Sequence, residues 1–125
     1  MTRRAAVLAI ALAVSACRQG MDANAAEAIA MTGGDPARGR VIARKYGCQS
    51  CHLIPGVSGG DARVGPPLAG VGTRSFIGGV LNNSPENMVR WIIDPKRVDS
   101  LSAMPNVGVT PADARHIAAY LYTLR

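Results

Sequence analysis

The sequence predicts a single all-α domain in which three helices and long loops surround something other than side chains. Three segments combine a helix-capping residue, a proline and spaced apolar residues, and the stretches between them are rich in glycine and proline. Hydrophobic residues make up 48% of the 125 residues, but aromatic residues only 4%. Aromatic rings usually contribute most to a small core. Three short helices with so few rings do not make a dry core by themselves.

The first predicted helix begins after Asp35, with Pro36 at its first position, because aspartate is a preferred N-cap residue and proline suits the first turn. Gly47 stops this helix. We expect its apolar stripe to consist of Ala37, Val41, Ile42 and Tyr46. Gly39 lies inside the helix, where it costs about 1 kcal/mol relative to alanine. Such a glycine indicates the close approach of another helix.

The other two predicted helices start in the same way. The second has Ser84 as its N-cap and Pro85 next, and it ends before Pro95. Its apolar side consists of Met88, Trp91 and Ile92. The third has Thr110 as its N-cap and Pro111 next. Its buried face consists of Ile117, Leu121 and Leu124, with Tyr120 beside it.

The N-terminus has the pattern of an export signal over residues 1–16. Arg3 and Arg4 precede an apolar run that is too short to span a bilayer. The segment Val14-Ser15-Ala16-Cys17 resembles a bacterial lipobox, in which the cysteine is lipidated and becomes the mature N-terminus. The alternative is cleavage at Ala23-Asn24-Ala25, which would leave Cys17 unexplained.

Two locations follow from these alternatives. Lipidation of Cys17 predicts a protein anchored on the periplasmic side of a bacterial membrane, and ordinary cleavage predicts a soluble periplasmic one. Residues 17–34 are interpreted as a flexible tether and residues 35–125 as the domain. No segment after the signal is long and apolar enough to span a membrane.

The charge does not indicate a nucleic-acid partner. The formal net charge is +6, and part of it belongs to the two arginines of the export signal. The remaining basic residues form no run and are not interleaved with aromatic residues. A mildly basic face can still steer the domain onto an acidic redox partner.

The pentapeptide Cys48-Gln49-Ser50-Cys51-His52 indicates the chemistry. Cys-x-x-Cys-His is the attachment motif of c-type haem. Its two thiols can reach the two vinyl groups on one porphyrin edge, and the histidine then becomes an axial ligand of the iron. Zinc would need two further ligands, of which only His116 is available, on a predicted helix. A thiol-redox site would need a βαβ pattern, which is absent.

Residues 35–125 resemble the class I cytochrome c family. The resemblance rests on a helix leading into the pentapeptide, then Gly65-Pro66-Pro67-Leu68, then Met104 in a proline-containing loop and a final helix. It implies one haem in the class I fold, with the Met104 sulfur as second axial ligand, although a methionine is more often core filler. The run from Pro85 to Met104 is also similar to cytochrome c domains associated with haem-copper oxidases.

The resemblance implies further roles around the haem. The Pro66 carbonyl is expected to accept a hydrogen bond from the His52 ring. Gly65 is expected to allow the chain to turn before Pro66, and Leu68 is the last residue of the Gly-Pro-Pro-Leu motif. Arg74 matches a position that pairs with a haem propionate, a role that suits a fork-shaped cation.

Three more residues are expected near the haem. Ser102 lies two residues before Met104, where its hydroxyl can bond near the second propionate or the sulfur. Met88 is expected to pack on the haem, and Trp91 beside Met104.

The first and last helices of the family cross where a glycine meets an aromatic residue. Gly39 with Tyr120 or Leu121 can supply this crossing. Mitochondrial relatives place a tryptophan near the propionates where this chain has Asn82-Asn83, so the resemblance leaves the hydrogen bonding of the propionates open.

Together these observations predict an electron carrier and not an enzyme. Its iron cycles between Fe(III) and Fe(II) in a respiratory chain, with a membrane oxidase or reductase as redox partner and no small-molecule substrate. An enzyme or sensor with an open sixth position, acting on peroxide or a small gas, is the main alternative. A fixed oxidase subunit and a colourless thiol or zinc protein are two others.

Overall fold

The computed structural model describes residues 23–60 and 64–125, and their architecture is mainly helical. Residues 23–32 are helical and are called α1. The other helices are α2 (Pro36–Lys45), α3 (Pro85–Ile93), α4 (Pro95–Val98) and α5 (Pro111–Thr123). Two 3-10 turns, Cys48–Ser50 and Val71–Thr73, and an antiparallel hairpin of β1 (Phe76–Ile77) and β2 (Leu81–Asn82) lie between α2 and α3. The all-α prediction is confirmed, and the hairpin is an addition to it.

Some predictions concern residues outside this range. The predicted export signal, residues 1–16, and the predicted lipidation site, Cys17, both lie outside the described residues. Among the residues that are described, no helix is long and apolar enough to cross a bilayer.

The three predicted helix starts are confirmed by their caps. The Asp35 carboxylate accepts the backbone N–H of Ala37 at 2.8 Å. The Ser84 and Thr110 hydroxyls accept backbone N–H groups three residues ahead at 3.3 and 3.2 Å. In each case proline follows at the first helical position, so the local sequence alone determines where these helices begin.

The predicted tether over residues 17–34 is wrong for residues 23–32, which form α1. Ala28 is fully buried and Thr32 is 9% exposed. The Glu27 carboxylate pairs with the Arg125 guanidinium at 2.8 Å, which ties α1 to the C-terminal end of the chain. Alanine is the strongest helix former. An alanine-rich segment with few large side chains therefore resembles a linker in composition and still packs as a helix.

Helices α2 and α5 cross in close contact at Gly39, as predicted. A Cβ atom built on Gly39 would overlap the His116 carbonyl oxygen and lie 2.9 Å from the Tyr120 Cβ. The crossing partner is therefore the α5 backbone together with Tyr120, and a glycine is required at this point.

The predicted apolar stripe of α2 is only partly correct. Ala37 and Val41 are exposed, Val41 by 65%, and Ile42 is half-buried. The buried residues are Pro36, Gly39 and Ala43. Helices that approach this closely bury their small residues, and the larger side chains are left on the outer side of α2.

Helix α5 is the central element of the core. It contacts α2, α3 and the Val71–Thr73 turn. Its predicted face is confirmed at Ile117 and Leu121, whereas Leu124 is half-buried. The burial extends around most of the helix, because other elements pack on several sides of it. It also includes Ala114, Ala118, Ala119, Tyr120 and Tyr122.

Candidate haem-binding site

A cleft of about 500 Å³ opens between α2, α3, α5 and the loops. Its volume and its mainly apolar walls are typical of pockets that enclose a small ligand, roughly 300–1,000 Å³. Every residue assigned to the cofactor from the sequence lines this cleft: Cys48, Cys51, His52, Gly65, Pro66, Leu68, Arg74, Met88, Trp91, Ser102 and Met104. The fold therefore brings them to one surface, and their individual roles toward a haem stay predictions.

The two cysteines lie at a tight turn at the edge of the cleft. Gly47 has a φ of 76°, which lets the chain turn from α2 into the 3-10 turn Cys48–Ser50. The His52 backbone N–H donates to the Cys48 carbonyl at 3.0 Å and closes the turn. Both thiols are free. Burial raises the pKa of the Cys48 thiol above its ordinary value.

The His52 ring is held by the loop that follows the cysteines. Its Nδ1 atom lies 2.7 Å from the Pro66 carbonyl oxygen. A carbonyl oxygen only accepts, so Nδ1 carries the proton and Nε2 keeps a lone pair for a metal ion. The family resemblance implied this hydrogen bond, and the structure contains it.

Gly65 makes room for that ring. A Cβ atom at this position would fall on the imidazole of His52. The Gly65 backbone N–H also donates to the Cys51 carbonyl at 2.8 Å, which fastens the loop against the turn that carries the thiols. The glycine therefore leaves room for the His52 ring, and its predicted role in allowing the turn stays a prediction.

Met104 reaches the same cleft from the loop between α4 and α5. Its side chain is half-buried, and its backbone N–H donates to the Ser102 hydroxyl at 3.2 Å. Ser102 therefore shapes the loop that presents the thioether. Whether its hydroxyl also meets a propionate stays a prediction.

The alternative ligand His116 does not reach the cleft. Its Nδ1 accepts the backbone N–H of Asp35 at 2.9 Å, so the ring fastens the start of α2 to α5. Among the described residues, no group of three or more His, Cys, Asp or Glu side chains is arranged to hold a metal ion. Both observations disfavour the zinc interpretation.

A hydrogen-bond network fixes the loop of Arg74. The guanidinium donates to the carbonyls of Pro67 and Ala69. The Asn83 amide donates to the Arg74 carbonyl at 2.7 Å and accepts the Tyr122 hydroxyl at 2.7 Å. Asn83 is not part of the cleft lining. It therefore supports the backbone beneath Arg74, in the region where mitochondrial relatives place a tryptophan.

The apolar walls include residues that sequence reasoning missed. Met88 is 2% exposed and Trp91 is half-buried, as expected of residues that line a cofactor cleft. Phe76 and Ile77 on β1 and Tyr46 at the end of α2 also line the cleft. Tyr46 lies two residues before Cys48, and this position in the sequence could have indicated that it lines the cleft. Phe76 and Ile77 lie in a glycine-rich loop without periodicity, so the sequence did not indicate that they do.

These residues fit a haem c in their chemistry. Two thiols, an imidazole nitrogen with a free lone pair and a thioether meet at one apolar cleft, and Gly65 leaves the histidine ring a place that a side chain would fill. His-Met ligation and covalent attachment use this same donor set.

A small helical fold with a Cys-x-x-Cys-His turn at the edge of an apolar cleft defines a domain that binds haem covalently. The profile of the cytochrome c family matches residues 36–125, and the chain belongs to this family. Its members are haem electron carriers, so membership implies a covalently bound haem c here. The class I cytochrome c fold predicted from the sequence is confirmed.

The chain is also similar to the cytochrome c oxidase subunit 2 of Alkalihalophilus pseudofirmus. The two are 30% identical over 89 residues, which are 70% of this chain and 25% of that protein. The chain thus matches about a quarter of that relative's length.

Proposed function

We propose that this protein passes single electrons along a respiratory chain through one haem c. In this proposal Cys48 and Cys51 would hold the haem, and His52 and Met104 would bind its iron. The observation that carries this proposal is the hydrogen bond from His52 to the Pro66 carbonyl, because it prepares Nε2 as a ligand at a cleft that Met104 also lines.

The residues of the cleft have complementary tasks in this proposal. Bound here, a haem would supply a one-electron couple between Fe(III) and Fe(II). Pro66 keeps the His52 ring in one orientation, so ligand geometry changes little with oxidation state. Met104 supplies a thioether, which favours the ferrous form. Arg74 offers a cation for a propionate. With His52 and Met104 both bound to the iron, no position would be left for a substrate, and we do not propose an enzyme.

The partner we propose is a membrane oxidase or reductase. The likeness to an oxidase subunit supports this choice, and it also leaves room for a fixed subunit in place of a mobile carrier. The export signal and the lipobox-like Cys17 support a location on the periplasmic side, held by a lipid anchor. Solubilising membranes in mild detergent separates the two roles, because a fixed subunit co-purifies with its oxidase at constant stoichiometry.

The test combines spectroscopy with mass spectrometry. A pyridine-haemochrome spectrum reports covalent haem, and the intact mass of the mature chain reports lipidation of Cys17 and one haem per chain. The ferric protein should be low-spin with a methionine-to-iron charge-transfer band. Met104→Leu should abolish that band, and Met88→Leu, which changes a buried methionine of the same cleft, should retain it. High-spin iron in the unmodified protein would refute His-Met ligation and favour the enzyme or sensor.

A further inference from the structure

The outer face of α2 is a cluster of cations. Arg38, Arg40, Arg44 and Lys45 are all exposed, and α2 contains no acidic residue. In the linear sequence these residues are interrupted by Gly39 and by residues 41–43, so no run of like charge is visible. At about 100° per residue, Arg38, Arg44 and Lys45 lie within about 60° of Val41, on the side that faces away from α5. Arg40 lies at the edge of this side, near Gly56 and Tyr120.

These cations make few polar contacts within residues 23–60 and 64–125. In residues 23–60 and 64–125 the observed ion pair joins Arg125 to Glu27, so none of the four cations pairs with a described carboxylate. Arg44 makes a long contact of 3.4 Å with a serine hydroxyl. Lys45 lies 5.8 Å from the centre of the Tyr46 ring.

A shallow groove runs along the same face. It is lined by Ala37, Arg38, Val41, Ile42, Lys45 and Asp113. The carboxylate of Asp113 is already engaged, because it accepts the Tyr46 hydroxyl at 2.8 Å. The groove therefore combines apolar side chains with two cations, and one hydrogen-bonded carboxylate lies at its α5 edge.

The face points away from the haem cleft. Val41, which is 65% exposed, lies among the cations, and Ala43, which is 1% exposed, lines the cleft. Two positions along a helix correspond to a rotation of about 200°. A surface that contacts Val41 is thus on the far side of α2 from the cleft.

An anionic bilayer fits this face better than an acidic protein does. A basic helix with an apolar side chain among its cations suits an anionic bilayer, because the cations can meet lipid phosphates while the apolar side chain enters between the headgroups. Cys17 precedes α1 by six residues, so an anchor there holds the start of α1 within about 20 Å of the lipid. Helix α2 follows α1 after a three-residue connection.

We infer that α2 docks on the anionic surface of the membrane, with Arg38, Arg44 and Lys45 on lipid phosphates and Arg40 at the edge of the contact. Val41 lies between the headgroups, and the cleft is directed away from the lipid. The inference rests on the proposed function only for the anchor at Cys17, and the charged face itself does not depend on it.

The test uses the haem-loaded chain with Cys17→Ser, so that no acyl chain contributes. Sedimentation with vesicles of phosphatidylcholine and phosphatidylglycerol, three to one, is compared with pure phosphatidylcholine. The α2 variant replaces Arg38, Arg40, Arg44 and Lys45 with glutamine. The control variant replaces four other exposed cations with glutamine and has the same net charge: Arg90, Lys96, Arg97 and Arg115.

We expect the α2 variant to lose its partitioning onto anionic vesicles by about tenfold or more, and the control to stay within about twofold of the parent. Equal losses in the two variants, or no loss in either, would overturn the inference. If neither the parent nor the variants bind vesicles, but the α2 variant reduces an isolated oxidase more slowly than the parent does, the inference is overturned and the α2 face docks an acidic protein.

Two further readouts keep the conclusions separate. Ascorbate should reduce the vesicle-bound and the free protein at similar rates, and strong protection on binding would refute the proposed orientation. The visible spectrum should be the same in the parent and in both variants. An absent haem spectrum would refute the proposed function, whereas a normal spectrum without vesicle binding would refute only the docking face.

Discussion

Replacing Gly39 with alanine tests the packing that carries the haem motif into place. Helix α2 leads directly into the cysteine turn, and Ala43 and Tyr46 on it line the cleft. A shift of α2 away from α5 therefore displaces one wall of the site. The added methyl group would overlap the His116 carbonyl and lie 2.9 Å from the Tyr120 Cβ.

The expected magnitude follows from two opposing effects. Alanine gains about 1 kcal/mol over glycine in a helix interior. Overpacking costs about 1–3 kcal/mol and occasionally more. Here the upper end applies, because a backbone carbonyl and a Cβ atom cannot rotate away from the new methyl. We expect a net loss of about 2 kcal/mol in the free energy of unfolding, a large part of the 5–15 kcal/mol typical of a domain.

The assay is guanidinium denaturation of the haem-loaded protein, followed by circular dichroism and Soret absorbance. Ala37→Gly is the matched control, since this exposed residue on the same helix measures helix propensity without the α5 contact. The control should lose about 1 kcal/mol. If Gly39→Ala is as stable as the unmodified protein, or more stable, the close crossing is wrong.

Three more substitutions probe the site. Gly65→Ala should push the His52 ring from its position and convert part of the ferric haem to high-spin. An unchanged visible spectrum would show that the ring does not need the space left by Gly65. Tyr46→Phe removes a hydrogen bond that raises the pKa of Tyr46 and lowers the pKa of Asp113. The stability lost in this variant should be constant between about pH 4 and pH 10. The difference in unfolding free energy between the parent and the variant should shrink below about pH 4, because Asp113 is protonated there, and above about pH 10, because Tyr46 ionises. Denaturation is measured across this pH range. A difference that does not change with pH would refute the pairing of Tyr46 with Asp113. Asn83→Ala leaves its hydrogen-bond partners unsatisfied and should lower the free energy of unfolding by about 2–3 kcal/mol. Denaturation measures this loss. A loss below about 0.5 kcal/mol, which is usual for surface substitutions, would rule out the supporting network.

The helix starts and the ligand motif could be predicted because their signals are local. Asp35, Ser84 and Thr110 each cap a helix that begins with proline, and this chemistry acts within one turn. The Pro66 acceptor for His52 was implied by the family resemblance, and the structure contains that hydrogen bond. In these cases the information lies within a few residues or in a motif.

The remaining features depend on which surfaces meet, and a single sequence does not specify this. Val41 has the spacing of a buried residue but faces outward, because α2 packs through Gly39 and Ala43. Helix α1 has a linker-like composition, yet Ala28 is fully buried. Phe76 reaches the cleft from a hairpin that turns through Gly78 and Gly79, both with positive φ, and neither period-2 nor period-3.6 patterning indicates it.

The site is organised by its own backbone as well as by any cofactor. The Gly65 N–H donates to the Cys51 carbonyl, and the Leu68 N–H donates to the Leu53 carbonyl, both at 2.8 Å. These bonds join the segment that carries the thiols and the histidine to the segment that carries its acceptor, Pro66. Because the ligand and its acceptor belong to one hydrogen-bonded unit, a displacement of either segment moves both together. The orientation of the His52 ring is thus set by hydrogen bonds within the chain.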